Sequence, residues 1–130
     1  MGSQLTVYKA SAGSGKTFTL AREYMTLVIA NPATYRTILA VTFTNKATEE
    51  MKMRILGKLY EIAHDMPDAA DYKAQIQETL PYLSAQQIQQ NAASALHLLI
   101  HNYNYFRVET IDTFFQSVLR NLARELDLTA

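Results

Sequence analysis

The chain has 130 residues, enough for one modest domain and too few for two. Its 12 Lys and Arg residues balance 12 Asp and Glu residues, so the overall composition lacks the basic excess that marks many nucleic-acid-binding proteins. The absence of cysteine excludes disulfides and thiolate metal sites and fits a reducing, cytoplasmic setting. No apolar run reaches the ~18 residues of a membrane span, and residues 1–3 are typical of a cloning remnant.

Strands and helices alternate in the first part of the chain. The apolar run 5–10 predicts a buried strand, and a glycine-bearing loop leads from it to a helix that begins at Lys16. The run 37–43 is almost continuously apolar and predicts a parallel strand covered on both faces. Thr44 or Asn45 is a suitable N-cap for the helix that follows.

The second half is predicted to be mainly helical. We interpret residues 64–103 as a helical insertion, in which Ser84 and Gln87 form a capping box. The run 106–111 predicts a third strand, and Thr113 is a suitable cap for the last helix. Three aromatic residues beside and within this strand are assigned to packing: Tyr103, Tyr105 and Phe106. Four apolar residues share one side of the last helix: Phe115, Leu119, Leu122 and Leu126. The order of elements predicts an α/β domain with a parallel sheet of about three strands flanked by helices.

The segment 10–17 nearly matches the phosphate-binding pattern G-x-x-x-x-G-K-[ST], with an alanine in place of the first glycine. Gly13 and Gly15 allow the backbone to approach phosphate groups where a Cβ would clash. Lys16 supplies a cation for the β- and γ-phosphates, and the Thr17 hydroxyl is a suitable Mg²⁺ ligand, so both are predicted catalytic residues. The alternative is an ordinary glycine-rich turn with a solvated lysine. The predicted site for ATP and Mg²⁺ consists of Ala10, Ser11, Ala12, Gly13, Ser14, Gly15, Lys16 and Thr17.

Three segments together resemble one enzyme family. The pattern A-x-A-G-S-G-K-T resembles the first motif of the superfamily-one DNA helicases, the UvrD-like and RecB-like proteins. Residues 38–55 resemble motif Ia of that family, and residues 108–120 resemble its later T-I-x-x-F segment. The resemblance implies a P-loop NTPase (RecA-like) fold, with residues 1–130 as the amino-terminal part of domain 1A of an ATP-dependent helicase. The short segment before the phosphate-binding pattern is more similar to that of RecB or AddA, the exonuclease V beta-subunit type. This similarity implies further subunits of a helicase–nuclease complex as partners.

The same resemblance implies contacts with DNA just beyond the carboxyl ends of the predicted strands. Helicases grip single-stranded DNA by aromatic stacking and phosphate contacts, and ligands of parallel sheets bind at this edge. Phe43 has an alternative place in the core, and Asn45 has an alternative role as a cap. Asp112 stands where many members carry histidine, and its carboxylate would repel phosphate, so capping is the alternative there. The implied DNA contacts are Phe43, Thr44, Asn45, Thr110 and Asp112.

One element of ATP hydrolysis has no counterpart in these 130 residues. None of the 12 carboxylates ends an apolar strand, as the second acidic motif of this family does. We therefore expect an amino-terminal fragment of a larger enzyme that is inactive alone, with a sheet edge open to self-association. A small P-loop kinase is an alternative that leaves residues 41–51 without a role, and a non-catalytic nucleotide-binding module is another.

Overall fold

The computed structural model describes residues 4–7 and 15–126, with side chains described from Thr17 onward. The strands are β1 (Gln4–Val7), β2 (Ile38–Thr42) and β3 (Arg107–Thr110). The α-helices are α1 (Gly15–Ala30), α2 (Asn45–Ala63), α3 (Ala70–Thr79), α4 (Ala85–His101) and α5 (Ile111–Glu125). Short 3-10 turns lie at Pro32–Thr37, Pro67–Ala69 and Tyr103–Tyr105. No helix in the described ranges has the length and apolar content needed to cross a membrane.

The strands form a parallel sheet in the order β1-β2-β3. Val7 lies beside Val41, and Thr42 lies beside Thr110, so the three strands end at the same edge. Strand and helix alternate around this sheet, as the sequence predicted. Since each parallel connection must return across the sheet, α1 links β1 to β2, and α2, α3 and α4 lie between β2 and β3.

The predicted insertion contributes directly to the main hydrophobic core. Helix α4 packs against both α1 and α2. Its buried side chains are Ile88, Ala92, Ala95 and Leu99, and those of α2 include Met51, Ile55, Leu59 and Ile62. The sheet adds Ile38, Ala40 and Val108 to the same cluster. The segment 64–103 is therefore not an appendage, because removing it would expose the inner faces of two other helices.

Two side chains of α4 also complete the ends of its neighbours. The last four carbonyl groups of a helix lack partners within that helix. Asn91 donates from Nδ2 to the Ile29 carbonyl at 2.7 Å, near the end of α1. Gln89 donates from Nε2 to the Ala63 carbonyl at 2.9 Å, at the end of α2. Packing and hydrogen bonding thus join α4 to both helices.

The sequence predicted some of the residues that cap the helices correctly and others wrongly. The capping box of Ser84 and Gln87 is confirmed, with hydrogen bonds of 3.1 and 2.8 Å in the two directions. Thr44 caps α2, whereas Asn45 is already its first helical residue. The prediction that Thr113 caps the last helix was wrong. Thr110 is the cap, because the chain turns directly from β3 into α5.

The aromatic residues before β3 divide into one buried and two exposed side chains. Phe106 is buried, and its ring centroid lies 5.4 Å from that of Tyr24. Tyr103 and Tyr105 are exposed in the 3-10 turn and lie outside the core, although their rings pack edge-on against those of Phe106 and Tyr35. Both rings also contact cations, since the Arg36 guanidinium lies 4.2 Å from the Tyr105 centroid and the Lys52 ammonium lies 4.8 Å from that of Tyr103.

Candidate functional site

The shared carboxyl edge of the sheet brings two of the predicted site segments together. Thr42 ends β2 and is the register partner of Thr110, which ends β3. The segment that begins at Phe43 and the start of α5 therefore leave the sheet side by side. Strand β1 also ends at this edge, where Val7 pairs with Val41. This is the edge at which parallel α/β sheets bind their ligands.

The predicted phosphate loop lies partly outside the described residues, which include none of Ala10, Ser11, Ala12, Gly13 and Ser14. Gly15 is the first residue of α1, and Lys16 follows in its first turn. Thr17 is 3% exposed in the same turn. The amino end of α1 is the positive end of a 16-residue helix dipole, which favours an anion.

The segment after β2 presents its side chains to solvent. Phe43 is 46% exposed, so the alternative that it belongs to the core was wrong. Thr44, Asn45 and Lys46 are exposed as well. Thr44 Oγ1 accepts a hydrogen bond from the Ala47 backbone N–H at 3.0 Å, which holds the turn into α2. This arrangement leaves an aromatic ring, an amide and a cation available at the start of the helix.

The segment after β3 has a similar local design. Thr110 Oγ1 accepts from the Thr113 backbone N–H at 3.2 Å and donates to the Thr113 hydroxyl oxygen at 3.0 Å. Asp112 is exposed in the first turn of α5. Because Thr110 occupies the cap, the alternative that Asp112 caps the helix was wrong. A carboxylate in a first turn still stabilises the helix through its dipole.

A buried hydroxyl that the sequence reasoning missed holds the two segments together. Thr42 is fully buried, and its Oγ1 hydrogen-bonds to the hydroxyl of Thr48 in α2. The same oxygen lies 3.3 Å from the Thr44 carbonyl oxygen and 3.4 Å from the Glu109 carbonyl oxygen. It therefore contacts β3, the turn and α2 at once. The available signal was a threonine ending an otherwise apolar strand, where a buried hydroxyl requires partners.

Replacing Thr42 with valine is expected to lower the free energy of unfolding by about 1–3 kcal/mol, because it leaves the Thr48 hydroxyl unpaired. Thr48→Val and the double variant complete a double-mutant cycle. Urea unfolding followed by circular dichroism should give a coupling energy of roughly 0.5–3 kcal/mol between the two positions. Strictly additive losses would show that the two hydroxyls do not stabilise each other.

Comparison with known proteins decides the family. The sequence pattern of the UvrD/REP helicase N-terminal domain matches residues 1–130. The chain belongs to this family. Membership confirms the resemblance to UvrD-like and RecB-like helicases and agrees with the mixed helix and strand architecture. No solved structure matches the chain significantly.

Relatives named UvrD1 and relatives named RecB both match this chain. The ATP-dependent DNA helicase UvrD1 of Mycobacterium tuberculosis is 31% identical over 125 residues, 96% of this chain and 15% of the relative. The RecBCD enzyme subunit RecB of the same species is 30% identical over 118 residues, 90% of this chain and 11% of the relative. RecB of Escherichia coli is 40% identical over 62 residues, 42% of this chain and 5% of the relative. The chain thus spans a small part of each, and the preference for the RecB type stays a prediction.

Proposed function

We propose that this chain is the ATP-binding, single-stranded-DNA-contacting part of an ATP-dependent DNA helicase or helicase–nuclease subunit that acts in DNA repair and recombination in the cytoplasm. The observation that carries the proposal is the shared edge of the sheet. The segments after β2 and β3 lie side by side there, and β1, which precedes the predicted phosphate loop, ends at the same edge. The names of the UvrD1 and RecB relatives support the helicase assignment.

The nucleotide part of the proposal assigns ATP and Mg²⁺ to the loop before α1 and the first turn of that helix. The donor set fits, because Lys16 is a cation at the positive end of a helix and Thr17 carries a hard hydroxyl oxygen. Bound Mg²⁺ would supply charge neutralisation for the phosphates. Lys16 would attract the β- and γ-phosphates, and backbone N–H groups near Gly13 and Gly15 would donate to them.

The DNA part assigns base stacking to Phe43 and polar contacts to Thr44, Asn45 and Thr110. Stacking on an exposed ring does not depend on base identity, which suits an enzyme that moves along any sequence. Lys46, three residues after Phe43 and also exposed, adds a cation near the proposed DNA contacts. We propose that Asp112 lies near the DNA without contacting a phosphate group, because its carboxylate would repel a phosphate.

Replacing Phe43 with alanine is expected to weaken binding of oligo-dT by roughly 1–3 kcal/mol, the range for one base stacked on an aromatic ring. Fluorescence anisotropy with labelled oligo-dT and oligo-dA should give similar losses. Tyr82→Ala is the matched control, since Tyr82 is another exposed aromatic residue, 69% exposed and before α4. Equal losses in both variants would contradict a specific role for Phe43.

Titration with labelled ATP and with oligo-dT separates the helicase proposal from its alternatives. Binding of both ligands supports the helicase part. ATP binding without DNA binding favours a small P-loop kinase or a non-catalytic nucleotide-binding module. Failure to bind either ligand would contradict the proposal and favour a structural role.

Catalysis is proposed to require groups outside the segments described above. Stabilising charge on the transferring phosphoryl group requires arginine side chains, and orienting the attacking water requires a further carboxylate. We also propose that residues 1–130 form the amino-terminal part of domain 1A, with 64–103 inserted between motif Ia and the T-I-x-x-F segment.

The 130-residue polypeptide by itself is expected to release no phosphate above background in a DNA-stimulated assay. Release that Lys16→Ala abolishes would contradict this.

A further inference from the structure

Two histidine side chains lie one turn apart at the carboxyl end of α4. His97 and His101 are both exposed, and their ring centroids are 3.9 Å apart with 30° between the ring planes. Side chains four residues apart project from the same face of a helix, so the helix itself holds the two rings together. Two histidines with this spacing are a recurring means of binding a transition metal ion.

The hydrogen bonding of His101 leaves one of its ring nitrogens available to a metal ion. Its Nδ1 lies 3.0 Å from the His97 carbonyl oxygen, and Nδ1 carries the proton because a carbonyl oxygen can only accept. In the neutral ring the lone pair is then on Nε2. Histidines that bind metals usually donate their other ring nitrogen to a carbonyl or carboxylate in this way, which fixes the orientation of the ring.

The separation of the two rings is close to the separation that a shared metal ion requires. Metal–nitrogen bonds of ~2.0–2.1 Å place the centres of two imidazoles at neighbouring coordination positions about 4.5–5 Å apart. The rings of His97 and His101 lie 3.9 Å apart, so they need to separate by only about 1 Å. Exposed side chains make such adjustments readily, because they change rotamer within nanoseconds.

The electrostatic character of α4 favours a cation at this position. The helix contains no lysine or arginine, so it carries no ammonium or guanidinium group that would repel a metal ion. Both histidines lie at its carboxyl end, where the backbone carbonyl groups form the negative end of the helix dipole. A metal ion bound between the two rings is therefore stabilised by the helix as well as by its ligands.

We propose that His97 and His101 form a binding site for a transition metal ion at the carboxyl end of α4. Imidazole nitrogens suit Cu²⁺, Ni²⁺ and Zn²⁺, and Cu²⁺ binds most tightly in this series. Water completes the coordination shell, because the described residues contain no group of three or more side chains suited to a metal. Mg²⁺ favours oxygen ligands, so this site differs in chemistry from the Mg²⁺ site proposed at Thr17. The inference does not depend on the proposed binding of nucleotide or DNA.

Calorimetric titration of the 130-residue chain with copper sulfate tests the proposal. Cu²⁺ binding is expected to weaken at least ~10-fold in His97→Gln and in His101→Gln, since loss of an outer-shell partner alone costs that much. Both positions are exposed and glutamine favours helices, so the circular dichroism spectra should be unchanged. Electron paramagnetic resonance of bound Cu²⁺ should show two imidazole nitrogens in the parent and fewer in each variant. Binding that is equally tight in the parent and in either variant would overturn the proposal.

The end of α2 offers a matched control, in which one histidine has the same surroundings without a second ligand. His64 Nδ1 lies 2.9 Å from the Tyr60 carbonyl oxygen, and the two rings stack with centroids 4.1 Å apart. His64→Gln should therefore leave Cu²⁺ binding unchanged. Tyr60→His should add a second Cu²⁺ site, since Tyr60 is 49% exposed and its replacement leaves the core intact. An equal loss in His64→Gln and His101→Gln, or no added site in Tyr60→His, would contradict a site built from paired histidines.

Discussion

Replacing Lys16 with alanine is expected to weaken ATP binding about ten- to hundred-fold. The lysine is proposed to form a charge-assisted contact with the β- and γ-phosphates, and such a contact contributes roughly 1.5–3 kcal/mol. Its position in the first turn of α1 adds to the attraction, because the helix dipole and the ammonium group favour the same anion. Fluorescence titration with labelled ATP and Mg²⁺ measures the loss.

The control for this experiment is Lys73→Ala. Lys73 pairs with the exposed Asp65 at 2.8 Å, in the segment that connects α2 and α3. An exposed ion pair contributes little to stability, so this variant removes one positive charge without affecting the proposed site. The assignment of the phosphate loop fails if Lys16→Ala binds ATP as tightly as Lys73→Ala does.

Replacing Leu99 with alanine is expected to lower the free energy of unfolding by about 2–5 kcal/mol, the usual range for a buried leucine. Leu99 is fully buried in the core that α4 shares with α1, α2 and the sheet. The substitution removes apolar contacts and leaves a cavity that the surrounding helices fill incompletely. The loss is a large fraction of the ~5–15 kcal/mol that stabilises a typical domain. Urea unfolding followed by circular dichroism measures it.

Ile100→Ala is the matched control, because Ile100 is the next residue of the same helix and is 54% exposed. This variant should lower stability by less than about 0.5 kcal/mol, as is usual for substitutions at the surface. The pair also tests how the segment 64–103 is related to the rest of the chain. If Leu99→Ala unfolded α4 and left the sheet and the other helices intact, α4 would be a separate unit.

The sequence predicted the order of the elements well, because their apolar periodicity reports burial directly. It also predicted the capping box at Ser84 and Gln87, whose two hydrogen bonds depend only on residues three apart. It could not choose between Thr44 and Asn45 as the cap of α2, since both side chains favour that position. It placed the last cap at Thr113 because periodicity does not show that β3 passes into α5 without a loop.

The exposure of individual side chains was harder to predict than their secondary structure. Phe43 and Tyr105 are both aromatic residues beside apolar strands, and local sequence does not show that both are exposed. The apolar side of α5, with Phe115 and Leu119 exposed, is the clearest case. Its spacing is that of a helix packed against a core, yet no described part of the chain packs against it. The spacing reports that an apolar face exists and leaves open which surface covers it.

The hydrogen bonds that Gln89 and Asn91 make with neighbouring helices determine how the domain loses its structure. When α4 unfolds, the Ile29 and Ala63 carbonyls lose these hydrogen-bond partners. The inner faces of α1 and α2 become exposed to water at the same time. The end turns of those two helices are therefore stabilised in part by α4. The three helices are consequently expected to unfold as one cooperative unit, although 21 residues, including α3, separate α2 from α4 along the chain.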